Sequence, residues 1–352
     1  MYCFPEIDVM PGPRKRPGWG KERRAMAATW EQGALATVFG GSGFVGRHTV
    51  RALARQGYRV RAAVRRPDLA GHLQPMGGVG QIHAVQANLR YPESVARAVE
   101  GAKVVVNVVG VLAPSGRQSF EAVHVEGARA VAKAAKAAGV ERLIHVSAIG
   151  SDPKSAGRYG RTKAAGEAAV TAEFPEAVIL RPSIVFGPED EFFNRFAAMA
   201  AQGPLLPLVG GGQTRFQPVY VGDVAAAIVA AAQGKAEPGA VYELGGPEVQ
   251  TFRRLLERTQ EYAGRDRGMM PMPFWLASLV GAATALLPAG LRPITVDQVR
   301  MLKSDNVVSD AAQKEGRTLA GLGIAAPHAI STIVPQYLEQ YQPKGQFSHY
   351  RG

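Results

Sequence analysis

The 352-residue sequence has a single cysteine, Cys3. One thiol excludes a disulfide framework and any iron–sulfur or multi-cysteine metal site built from this chain, and it fits a reducing compartment. His124, His145 and His328 are scattered without ligand spacing, so no metal is expected. No segment repeats with a fixed period. No apolar run is long enough to cross a bilayer. One stands out, 274–287 (FWLASLVGAATALL), with fourteen residues and no charge, where a spanning helix takes about 20. Acidic residues are in deficit, 29 against 41 Lys and Arg, for a formal charge of +12. That surplus fits nucleic acid, an anionic membrane, an acidic partner or a phosphorylated ligand.

What is present is a globular composition. Apolar residues make up 46%, and the length allows about two domains, or one large α/β unit with a cap. Residues 14–24 (RKRPGWGKERR) hold six cations and one anion, a local +5. No apolar run follows them, which excludes a secretory signal, and Glu6 and Asp8 argue against a transit peptide. The expectation is a disordered basic leader over 1–33, with Met26 as a natural start. No helix-turn-helix or aromatic-rich context makes it a nucleic-acid arm.

From Leu35 short β-branched runs alternate with Ala-rich segments of helical period. Strands are expected at 35–39, 58–64, 82–86, 103–109, 142–147 and 177–181. Helices are expected at 44–56, 92–100, 118–138 and 161–173. Strands apolar on both faces, separated by helices, indicate a parallel sheet covered on both sides, the doubly wound α/β class. A Rossmann domain is therefore expected over 34–182. Gly and Pro are frequent in 187–212, which marks loops and a smaller cap over 183–347, with some elements returning to the sheet and a tail at 348–352. Helices are expected after Gly222 to Ala232 and from Thr251 through Tyr262, with a strand at 240–244. Asp223 reads as a helix cap. Glu189, Asp190 and Glu191 read as an acidic first turn. The 274–287 segment reads as a buried cap helix or as a patch against a membrane or apolar partner, flanked by Arg265, Arg267 and Arg292.

The strongest motif is Gly40-Gly41-Ser42-Gly43-Phe44-Val45-Gly46, directly after the first strand and opening a helix. In that context Gly40 makes a sharp turn, Gly43 admits a pyrophosphate and Gly46 lets the helix pack closely on the sheet. The helix N-terminus supplies N–H groups and a positive dipole end. An NAD site places an acidic residue at the end of the second strand. This chain has Arg65-Arg66 there, and guanidinium forks suit a 2′-phosphate. NADP(H) is therefore expected over NAD(H), with Arg47 a further phosphate candidate.

The GxxGxxG spacing, Tyr159-Gly-Arg-Thr-Lys163 and Arg181-Pro-Ser-Ile-Val-Phe-Gly-Pro188 resemble the short-chain dehydrogenase/reductase superfamily, in its extended, epimerase-like branch. Gln217-Pro-Val-Tyr-Val-Gly-Asp223-Val and Tyr242-Glu-Leu-Gly-Gly-Pro247 agree. Pro273-Phe-Trp-Leu-Ala, the run from Asp297 to Ser309 (DQVRMLKSDNVVS) and Tyr341-Gln-Pro-Lys-Gly-Gln-Phe347 resemble the nucleotide-binding accessory subunits of respiratory complex I and their bacterial relatives. That resemblance implies a tightly held NADPH and a structural role near membrane and quinone. It also implies a peripheral location, on the cytoplasmic face of a bacterial inner membrane or the matrix face in a mitochondrion. It does not imply electron transfer by the chain.

In the superfamily a Tyr and a Lys four apart share a helix face, and the ammonium stabilises the phenolate and holds the nicotinamide ribose. Tyr159 and Lys163 match. The resemblance also implies Asn107 beside the cofactor and Asn88 near the adenine. Ser147 matches the early serine of the turn His145-Val-Ser-Ala-Ile-Gly150. The position that polarises a substrate falls on Ala148 or Ile149, which cannot donate a hydrogen bond, so catalysis is in question while cofactor binding is not. Two readings stand: an NADPH-bound accessory subunit, and a soluble NADP-dependent reductase, epimerase or dehydratase.

Overall fold

The computed structural model describes residues 33–284 and 294–343. The basic leader, residues 285–287 of the apolar segment, Arg292 and the tail lie outside the described residues. The elements run β1 (Leu35–Phe39), α1 (Phe44–Arg55), β2 (Arg59–Val64), β3 (Ile82–Gln86), α2 (Pro92–Val99), β4 (Val104–Asn107), a π-helical turn (Glu121–Glu126), α3 (Gly127–Ala137), β5 (Arg142–Val146), α4 (Arg158–Glu173) and β6 (Val178–Pro182). The C-terminal part contributes α5 (Phe193–Gln202), α6 (Val221–Ala232), β7 (Val241–Leu244), α7 (Phe252–Tyr262), α8 (Phe274–Ala283) and α9 (Val296–Met301).

The sheet order is β7-β6-β5-β4-β1-β2-β3, and every pairing is parallel. The order reverses between β1 and β4, the place where open α/β sheets bind ligands. Alternation along each strand explains the two covered faces. Ala36, Val38, Val104, Val106 and Ile144 pack toward one cluster with Val50 and Leu53 of α1 and Val224 and Ile228 of α6. Phe39, Val105 and Leu143 pack toward the other with Val131 of α3 and Val170 of α4. Thr37 is buried in this sheet and donates its hydroxyl to Ala98 O at 2.8 Å, so its polarity is satisfied.

The cap has its own core, rich in aromatics: Phe186, Phe193, Phe216 and Phe252 pack with Leu255, Leu256 and Val334. The sheet and the cap share one piece of chain, because β7 returns from the C-terminal half to pair with β6.

Three expectations change. The helix expected over 118–138 opens with a π turn, and that turn packs against α4 so closely that a Cβ on Gly166 would collide with His124 O. Asp223 lies inside the first turn of α6, after the N-cap Tyr220, and caps nothing. Its buried carboxylate instead accepts His328 N and His328 Nδ1, both at 2.7 Å, which ties down a segment 105 residues away. Asp190 precedes α5 and accepts Asn194 N at 3.1 Å and Gly187 N at 3.2 Å, while Glu189 reaches back to Arg47 and His48.

Replacing Asp223 by Ala strands the His328 N–H. The expected loss is about 1–3 kcal/mol of stability, read as a lower urea midpoint with unchanged cooperativity. An unshifted midpoint would contradict this role.

Candidate nucleotide site

The chain turns immediately after β1. Gly40 has φ +80°, which glycine adopts without strain. Gly40 N donates to Ala63 O of β2 and Gly43 N to Gly40 O, each at 3.0 Å. A Cβ on Gly46 would collide with Gly40 O, while one on Gly41 would lie 2.9 Å from Ala62 Cβ. The close packing on the sheet is thus made by Gly41, and Gly46 seats the helix on its own turn. Gly43 is the N-cap of α1 and offers no capping side chain, so the N–H groups at Phe44 and Val45 remain for an anion.

Arg65 and Arg66 follow β2 and are exposed beside this turn. Arg66 forks onto Asp68, with Nη2 at 2.7 Å from Oδ2. Arg47 is committed to Glu189 and to Ser42 O, both at 3.3 Å, and buttresses the turn. Asn88 follows β3, and its amide oxygen accepts Arg90 N at 3.2 Å in a local turn. Asn107 is buried at the end of β4. Its oxygen accepts Val109 N and its amide nitrogen donates to His145 Nδ1, both at 3.2 Å, so it shapes the 108–110 loop from inside.

Tyr159 and Lys163 share one face of α4. Lys163 is 4% exposed, and its ammonium donates to Val146 O at 2.9 Å. Burial lowers it to about 8. The Tyr159 ring sits edge-on to His124 at 5.4 Å and to Phe120 at 6.1 Å. Burial raises its phenol to about 12, so it is protonated at neutral pH. Ser147 follows β5. Ser151 Oγ donates to Ala148 O at 2.7 Å, which leaves Ser147 Oγ to donate to Ser151 Oγ at 3.0 Å. The one serine that matches the family turn is therefore engaged within the turn.

His124 had no role in the sequence, and the structure gives it one. Its Nε2 accepts Val111 N at 3.1 Å, so the ring proton is on Nδ1, which donates to Thr162 Oγ1 at 3.1 Å. Thr162 Oγ1 in turn donates to Tyr159 O at 3.0 Å. Burial, then the Lys163 charge, hold His124 at about 3 and therefore neutral. The stack of Phe120 on His124, four residues on, was the available sequence signal. A Cβ on Gly110 would lie 3.9 Å from both His124 Nε2 and Lys163 Nζ, so the two groups converge on this open glycine.

These residues fit a dinucleotide. The α1 N-terminus suits a pyrophosphate, Arg65 a ribose phosphate, and the under-partnered Lys163 ammonium the hydroxyls of the second ribose. Lys163 loses its proton as pH rises through about 8, whereas His124 and His145, both near 3, and Tyr159, near 12, do not titrate there. Affinity for NADH, which lacks a titrating 2′-phosphate, is expected to be flat below about pH 7 and to fall above about pH 8, approaching tenfold per unit. Lys163→Met should bind weakly with no such slope. Fluorescence titration of the reduced dinucleotide across this range checks it, and a flat wild-type profile would count against it.

The model of the NAD dependent epimerase/dehydratase family matches residues 36–245. NADH dehydrogenase (ubiquinone) 1 alpha subcomplex subunit 9, mitochondrial, of Arabidopsis thaliana is 36% identical over 323 residues, covering 89% of this chain and 79% of that protein. A ceramide reductase of Caulobacter vibrioides is 37% identical over 203 residues, covering 58% of this chain and 62% of that protein. Among solved structures, UDP-glucuronic acid 4-epimerase from Bacillus cereus, in complex with UDP-glucuronic acid and NAD, superposes with a TM-score of 0.66 at 17% identity, over 87% of this chain and 99% of that one. The likeness to that structure concerns the fold. The family match spans more than half of the sequence and includes the glycine turn, Tyr159 and Lys163, and the chain belongs to the NAD dependent epimerase/dehydratase family.

Proposed function

We propose that the chain is an NADP(H)-binding accessory subunit of a respiratory NADH:quinone oxidoreductase, held for structure and assembly and not for electron transfer. The observation that carries this reading is the extent of the likeness to the Arabidopsis subunit. It runs over 89% of the chain, well past the 36–245 stretch of the family. The serine turn supports it as well. With Ser147 bonded to Ser151, and Ala148 and Ile149 beside it, the turn is built to close on itself.

The dinucleotide class follows from the turn and from Lys163, and the preference for the 2′-phosphate rests on Arg65 and Arg66. Arg66 already has a carboxylate partner in Asp68, so Arg65 is the main discriminator. Among the described residues no helix is long and apolar enough to cross a membrane, which fits a peripheral place. The apolar face of α8 fits docking at a membrane or an apolar subunit surface. Trp275 is 69% and Leu279 60% exposed, one helical turn apart.

A second reading has its own support. Tyr159 and Lys163 are both retained, and one relative is a ceramide reductase. In that case the bound dinucleotide would supply hydride to a carbonyl carbon, Tyr159 would give its proton to the oxygen, and the exposed apolar cap would suit a lipid-like substrate.

Purification of the oxidoreductase from native membranes, followed by native mass spectrometry, tests the first reading. The chain should co-purify with bound NADPH. Its absence from the complex, with release from membranes by buffer alone, would overturn the reading. Turnover of a long-chain carbonyl, lost in Tyr159→Phe, would favour the second. Arg65→Ala should weaken NADPH about ten- to a hundredfold, the worth of one charge-assisted contact, and leave NADH unchanged. Equal losses for both would refute the phosphate assignment.

A further inference from the structure

The run from Asp297 to Ser309 is among the most distinctive stretches of the sequence, and nothing so far gives it a task. It lies far from the glycine turn along the chain, yet it contacts both the start of the helix that carries Tyr159 and Lys163 and the serine turn beside it.

The first contact is at the start of α4. This helix carries Tyr159 and Lys163, and its own N-terminus is poorly specified. The N-cap is Gly157, with no side-chain cap and no acidic residue in the first turn. Arg158 and Arg161 put positive charge there, against the helix dipole, and Glu121 of the π turn pairs the Arg158 guanidinium at 2.8 Å. Asp297 supplies what is missing. One carboxylate oxygen accepts Arg158 N at 2.6 Å and the other Tyr159 N at 2.9 Å. Gly157 leaves room for it, since a Cβ there would lie 3.6 Å from each Asp297 oxygen and 3.1 Å from Met301 Cγ. Asp297 is fixed in turn because α9 opens with a capping box between Thr295 and Gln298.

The second contact is at the serine turn. Asn306 donates Nδ2 to Ile149 O at 3.2 Å, while its amide oxygen accepts Ser183 Oγ at 2.7 Å and Ile184 N at 3.1 Å. One segment thus holds the beginning of the Tyr159–Lys163 helix and the loop that faces it.

We infer that this segment is the positioning clamp of the nicotinamide half-site, with Asp297 as its principal positioning residue. It acts by capping α4 from 138 residues away, which sets the rotation and height of the first turn and so the place of the Tyr159 ring and the Lys163 ammonium. The inference rests on the reading that a dinucleotide binds along Gly40–Gly46 and Lys163. The position of the clamp makes a distinction that general loss of stability does not. Asp297 bears only on the nicotinamide half, and the adenine half is held by α1 and the end of β2.

The test compares Asp297→Asn and Asp297→Ala with wild type and with Glu257→Gln, which removes the exposed partner of Arg254 outside the clamp. Binding of intact NADPH and of adenosine 2′,5′-bisphosphate, which lacks the nicotinamide mononucleotide half, is measured on the full chain, together with amide exchange. NADPH affinity should fall about fivefold or more in Asp297→Asn, and further in Asp297→Ala, with the bisphosphate unchanged and faster exchange confined to the first turn of α4. Glu257→Gln should match wild type in both ligands. Equal losses for both ligands, or unaltered NADPH affinity in Asp297→Ala, would overturn the clamp. A wild-type chain that binds the bisphosphate but not NADPH would also overturn it. A wild-type chain that binds neither would overturn the nucleotide reading itself and the clamp with it.

Discussion

A primary ammonium is buried in this protein with one carbonyl oxygen to receive it. Among the described residues Lys163 donates to Val146 O and feels the Glu167 charge, and much of the site is arranged around its ammonium. His145 and His124 stay neutral beside it, held down first by burial and then by the Lys163 charge. Neutral histidines can then serve as fixed hydrogen-bond relays, Asn107 to His145 on one side and Val111 to His124 to Thr162 on the other. An under-solvated cation of this kind is costly alone and favourable once hydroxyl oxygens surround it. Such a charge fits the dinucleotide proposed for the site, whose ribose hydroxyls would receive it.

In the proposed reading the turn and the ammonium would divide the labour between the two ends of a dinucleotide. At the adenine side backbone groups dominate, because glycine removes side chains where phosphates must approach. At the nicotinamide side side chains dominate, and each is oriented by a neighbour. The serine turn has spent its hydroxyls internally, which leaves holding as the better-provided task and reduction as the less-provided one. A chain with these parts suits a subunit whose bound nucleotide is part of its folded structure, since ligand that binds only the native state stabilises it.

The sheet and the glycine turn were legible in the sequence because both are local: strand alternation, helix period and glycine spacing occupy contiguous residues. Tyr159 and Lys163 were legible for the same reason, as an i, i+4 pair. What escaped was set at long range. Asp223 looked like a cap because it follows Gly222, yet the helix begins at Val221 and the carboxylate is used by His328. The start of α4 at Arg158 had no local signal, because its cap arrives from Asp297. His124 looked isolated because its partners, Val111 and Thr162, come from a loop and a helix that only the π turn brings together. The pairing of Arg66 with Asp68 is local, two residues apart, and competes with a phosphate for the same guanidinium.

The return of β7 to the sheet has a consequence for how the molecule can be divided. The sequence changes rhythm after Pro182, but the packing does not end there. β7 covers the outer edge of β6, Glu243 stands 3.8 Å from Arg181, and α6 forms part of the sheet's underside. A chain ending at 182 would leave a parallel edge strand open and an apolar face bare, a surface prone to pairing with other copies. The nucleotide fold is thus not modular in the genetic sense: it cannot be lent to another protein as an N-terminal cassette, and the cap is inherited with it.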